Sequence, residues 1–178
     1  MRNLSRLLVL GLLMLQAVSL RAQHQHSHAD DQGVAVRLPE EVLTMTRAQM
    51  QERQTLAKAH LALRGFAEKN ADWNFYYDAL RRTPHRAWGS GIDIDGYSSI
   101  NLLNAPRAGA QFIERHADVL NVEPSALRML YSEIVDGKAY QKYIQTYRGL
   151  DVLHSYVDLR IAPNGKVVMF GSDFHKNI

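Results

Sequence analysis

From Leu127 to Phe170 the chain reads as a succession of strands, and no other stretch limits its fold as much. Four segments, Leu127–Val135, Tyr140–Tyr147, Val152–Ile161 and Val167–Phe170, are rich in β-branched and aromatic residues that suit a pleated, half-buried surface. Asp136-Gly137-Lys138 parts the first two and Pro163-Asn164-Gly165 the last two. Both are hairpin signals, because glycine there takes the positive φ that such turns need. In the third segment Val157, Leu159 and Ile161 alternate with Tyr156, Asp158 and Arg160. Period-two alternation predicts one covered face, with the apolar set inward and Tyr156, Asp158 and Arg160 pointing away from the core.

A helix precedes this meander. Pro106 suits a first turn, and Ala108, Phe112, Ile113, His116 and Leu120 share a face, with Arg107, Glu114, Arg115 and Asp118 mainly elsewhere. Asn121 stops it. One helix laid on a four-stranded antiparallel sheet gives an α+β layer over residues 104–178, with Phe112, Val157, Leu159 and Ile161 in its core. Residues 39–103 read as a helical and extended lead-in. Pro39, Glu40 and Glu41 open a helical stretch in which Leu56, Ala59, Leu63 and Phe66 recur at helical spacing, as one helix or two. Trp73, Phe75 and Tyr77 then alternate as in an extended segment, and Gly89, Gly91 and Gly96 mark a flexible loop.

Residues 1–22 read as a cleavable export signal. Arg2 and Arg6 supply a positive start, Leu7 to Leu15 a short apolar core, and Ala17, Ser19 and Ala22 small residues before cleavage ahead of Gln23. The apolar core is shorter than the roughly 20 residues of a membrane span. Arg2, Arg6 and Arg21 are its only charges, so cleavage cancels the whole formal excess of +3. A neutral mature chain lacks the electrostatic attraction to nucleic acid or anionic lipid. The expected location is secreted or periplasmic, with no membrane contact beyond the signal. The chain has no cysteine, so an exported domain of this kind must be stabilised by its core alone.

Candidate chemistry is sparse. There is no His-Glu-x-x-His zinc helix, no cysteine nucleophile, no Gly-x-Ser-x-Gly turn and no phosphate-binding glycine loop. Catalytic residues and cofactors are therefore expected to be absent. His24, His26 and His28, within a polar linker over residues 23–38, are the metal-ligand candidates, against their reading as a solvated, disordered tail. Asp93 and Asp95 sit in a Gly-Ile-Asp-Ile-Asp-Gly run, but Leu102 stands where a calcium loop carries its glutamate. Trp73, Phe75, Tyr76, Tyr77 and Trp88 fit either a partner-contact patch or a core tying the lead-in to the sheet.

Tyr143, Gln145, Tyr147, Gly149 and Val152, followed by Gly165-Lys166-Val167 and Phe170-Gly171-Ser172, resemble the propeptide module of secreted fungalysin- and thermolysin-like metallopeptidases. The resemblance spans about Asn104 to Ser172, with a looser lead-in at Thr83 to Gly89. It implies a cystatin-like version of the helix-on-sheet layer and a module that chaperones and inhibits a zinc peptidase domain. The partner is then a peptidase catalytic domain, in cis or in trans. In the family the position of Gln145 is a signature; between Tyr143 and Tyr147 its amide either bonds neighbouring backbone or meets a partner. Gly149 and Gly171 read as backbone requirements, a turn and a strand end. The leading expectation is the N-terminal part of a longer metallopeptidase precursor. A stand-alone secreted or envelope interaction module, and a periplasmic metal-binding protein, are the alternatives.

Overall fold

The computed structural model describes residues 46–176 and 178. The expected export signal, the linker with His24, His26 and His28, and the helix start at Pro39 lie outside the described residues. Helix α1 (Arg47–Ala59) begins with a reciprocal cap. The Thr46 backbone N–H donates to Gln49 Oε1 at 2.8 Å, and the Gln49 N–H donates to Thr46 Oγ1 at 3.3 Å. Two orphan donors are satisfied at once. Extended backbone at His60 (ψ 124°) ends α1, and α2 (Leu61–Lys69) follows directly. That break shifts the helical phase. Leu63 and Phe66 are buried as expected, but Leu56 and Ala59 are exposed, and Ala57 takes the inward position of α1.

The sheet has six strands, two more than the periodicity of residues 127–170 predicts. The elements β1 (Asn74–Asp78), β2 (Thr83–Asp93), β3 (Leu127–Val135), β4 (Lys138–Tyr147), β5 (Leu150–Ile161) and β6 (Lys166–Ser172) pair antiparallel in the order β1-β2-β6-β5-β4-β3. The additional strands come from the lead-in. Far from being a loop, Gly89 and Gly91 lie inside β2, where the register with β6 shifts between Trp88 and Ile92. Gly89 is needed for a steric reason: a Cβ there would lie 2.6 Å from Cγ of the Trp73 indole. The bare backbone lets the indole lie against β2.

Helices α3 (Ala105–Arg115) and α4 (Ala117–Leu120) follow β2. The single helix expected over this stretch is interrupted at His116 and closed by Asn121 in the left-handed conformation (φ 55°). Ala108, Phe112 and Ile113 of α3 and Leu120 of α4 join Val157, Leu159, Ile161 and Phe170 in one core. Trp73, Phe75 and Tyr77 belong to it as well. The Phe170 ring sits 5.2 Å from Trp73, 5.5 Å from Phe66 and 5.7 Å from Phe112, so a residue of β6 joins the lead-in, α2 and α3. Full burial of side chains of this size stabilises by about 1.5–3 kcal/mol each. Among the described residues no helix is long and apolar enough to cross a membrane.

Candidate interaction surface

Strand pairing carries the side chains of the other sheet face across the molecule in rows. One row runs Trp88, Met169, Arg160, Tyr140, Glu133, and a second holds Tyr76, Arg86, Asp158, Lys142, Tyr131. Aromatic and cationic groups interleave. Lys142 Nζ lies 4.3 Å from the Tyr156 ring centroid, Arg160 Cζ 5.2 Å from Tyr140, and Arg53 Cζ, reaching from α1, 5.3 Å from Tyr76. Such contacts contribute about 0.5–1 kcal/mol where exposed and more when desolvated. Trp88, Tyr131, Tyr140 and Tyr156 remain partly exposed. Burial, with Asp158 and Glu133 adding to it, pushes the Tyr131 phenol upward, so it stays a neutral donor.

Asp158 departs from the expectation. It does point away from the core, yet it is only 2% exposed. Arg86 Nη2 reaches it at 3.3 Å and Lys142 Nζ at 3.9 Å. Burial nevertheless pushes the Asp158 carboxyl above the ordinary range, against the pull of Arg86 and Lys142. Gly171 makes the Arg86 reach possible: a Cβ at that position would lie 2.6 Å from Arg86 Nη1 and press on the His85 carbonyl oxygen. Next to Arg86, His85 Nδ1 pairs with Asp173 Oδ1, and the His85 ring lies 5.2 Å from that of Tyr76. The result is a buried charge network beneath an aromatic surface.

The remaining signature residues divide by role. Gln145, 3% exposed, donates from Nε2 to the His175 carbonyl at 2.8 Å and accepts from the His175 N–H at 2.9 Å. Its Oε1 also accepts from Ser155 Oγ. The amide thus holds the tail after β6 as a neighbouring strand would. Gly149 follows Arg148 in the β4–β5 turn, both at positive φ, and Gly165 lies in the β5–β6 turn. Phe170 is in the core, Val152 is partly exposed, and Tyr147 is exposed with the Arg148 guanidinium 5.2 Å from its ring. Asp93 pairs with Lys166 at 3.3 Å and Asp95 with Arg115, so each carboxylate has a cation. His85, Arg86 and Asp173 were not singled out from the sequence. Their one signal was an acid at the centre of β5, the kind of residue that needs a buried partner.

The family model described as the Fungalysin/Thermolysin Propeptide Motif matches residues 129–174. Those residues therefore carry that motif, which is a propeptide motif and not a catalytic domain. Among solved structures, the Bacillus megaterium YpeB C-terminal domain is similar at 17% identity and a TM-score of 0.39, over 72% of this chain and 63% of that chain. The chain thus spans less than two thirds of that domain. No curated protein matches it.

Proposed function

We propose that this chain is a secreted propeptide-type module of a zinc metallopeptidase precursor, which binds the peptidase domain, assists its folding and keeps it inactive. The export signal over residues 1–22 and the linker over residues 23–38 belong to this reading. The observation that carries it is the aromatic and cationic face of β2 to β6, built in part from the matched propeptide motif. Tyr, Trp and Arg side chains resting on a rigid, charge-tied sheet are the residue types that dominate interface hot spots. The anchoring of the tyrosines by Lys142, Arg160 and Arg53 reduces the ordering entropy lost on docking. Contact through half-buried aromatics makes association weakly dependent on salt, since a neutral mature chain offers little long-range steering.

Titration against the isolated zinc peptidase domain encoded with the chain tests this. The full chain should slow peptide hydrolysis and raise the refolding yield, at low and high salt alike. Replacing Tyr140 and Tyr156 together by Ala should weaken inhibition by about tenfold or more while the thermal melt stays cooperative. Neither inhibition nor a gain in refolding yield with the intact chain would overturn the reading.

A further inference from the structure

Away from the aromatic face, four separate segments enclose a cleft of about 920 Å³. The start of α2 supplies His60 and Leu61, the β1–β2 turn Leu80 and Arg82, the end of α4 Asn121, and the C-terminal tail Lys176. Two features of this cleft are unbalanced. Neither Arg82 nor Lys176 has a salt-bridge partner among the described residues, although Arg82 shares a side-chain hydrogen bond with Tyr77, whereas Arg81 beside them is held by Asp78 at 2.6 Å. Asp118 is the single acid lining it. The helix α2 adds to the excess, since no side chain caps its first turn and no acid stands in it. Burial lowers the His60 pKa and the charges of Arg82 and Lys176 lower it further, with Asp118 opposing them, so both cations act on the same spot.

The second feature is apolar. Leu61 is 74% exposed and Leu80 95% exposed, and both line the cleft with these cations. Single exposed leucines are unremarkable, but two that line the same cleft as a positive cluster are complementary to one kind of ligand. The volume decides its size. A lone inorganic anion would leave most of such a space empty, and clefts of about 300–1,000 Å³ suit larger ligands. Asn121 Nδ2 donates to the Arg82 carbonyl at 3.2 Å, and Gln145 fixes His175 next to Lys176. Both cations are therefore carried on backbone that is held in place.

We infer that this cleft binds an extended peptide segment of a partner in which acidic and apolar side chains alternate, its carboxylates facing Arg82, Lys176 and the α2 N-terminus and its apolar groups meeting Leu61 and Leu80. The inference stands apart from peptidase binding by the aromatic face and does not require it. Fluorescence anisotropy with the full chain tests it, using a labelled peptide that alternates leucine and glutamate, and the same peptide with glutamine for glutamate. The acidic peptide should bind saturably and more weakly as salt is added, and the glutamine peptide about tenfold more weakly at low salt. The double variant Arg82→Gln/Lys176→Gln should lose about tenfold in affinity. Leu80→Ser, at a side chain too exposed to matter for folding, should weaken binding of both peptides. Tyr156→Ala, on the aromatic face, should leave it unchanged. Inorganic phosphate should fail to displace the peptide. Equal binding of the two peptides, unchanged affinity in the Leu80→Ser chain or in a double variant that still melts cooperatively, or full displacement by phosphate would each overturn the proposal.

Discussion

Gln145 shows how one side chain can stand in for a strand. Its amide pairs with both backbone groups of His175 and receives the Ser155 hydroxyl, all in a buried setting. Truncation would strand a backbone N–H, a carbonyl and a hydroxyl without partners, and each orphaned buried group costs about 1–3 kcal/mol. Gln145→Ala is therefore expected to destabilise by about 2 kcal/mol or more in denaturant unfolding, and to speed hydrogen exchange at residues 173–176. A chain that keeps full stability and tail protection would show that water replaces the amide. Gly171 acts differently, since it matters for what it lacks. Without a Cβ it lets Arg86 lie across β6 toward Asp158.

Among the elements, β1 and β2 have the largest consequence. They extend the sheet beyond β6, and α1 packs against β1 at the outer edge. A fragment beginning at residue 104 would keep α3, α4 and β3 to β6 but expose the β6 edge. Phe170 would lose Trp73 and Phe66 from its ring contacts. Loss of two large aromatic contacts and a strand's hydrogen bonds exceeds what a small sheet can absorb, because domains are stable by only about 5–15 kcal/mol. The fragment starting at residue 104 is expected to show no cooperative melt by circular dichroism, and one starting at residue 46 to melt cooperatively. Matching melts for the two would mean that residues 104–178 fold independently.

For the molecule as a whole, two half-buried histidines, His116 and His60, set the response to pH below neutrality. The His116 ring lies 4.5 Å from that of Phe112 and 6.0 Å from that of Phe66, and burial holds its pKa below the ordinary value, with Arg115 lowering it further. His60 shifts the same way. A base with a lowered folded pKa binds its proton more readily when unfolded, so stability falls as pH drops through about 6.5 and is flat above it. The melting temperature should decline from pH 7.5 to 5.5, and His116→Gln should make that decline shallower; parallel curves for the two chains would remove His116 as the cause. Strands β3 to β6, the inward triad Val157, Leu159 and Ile161, and the signature motif were legible from the chain alone. Alternation and turn chemistry are local properties, and a positive-φ glycine between two β runs constrains its neighbours whatever lies elsewhere. Three things were decided only on folding: that β2 pairs with β6, that Asp158 is buried under Arg86, and that residues from His60 to Lys176 enclose one cleft. Each depends on which distant segment meets which sheet edge or face, and local periodicity carries no information about that choice.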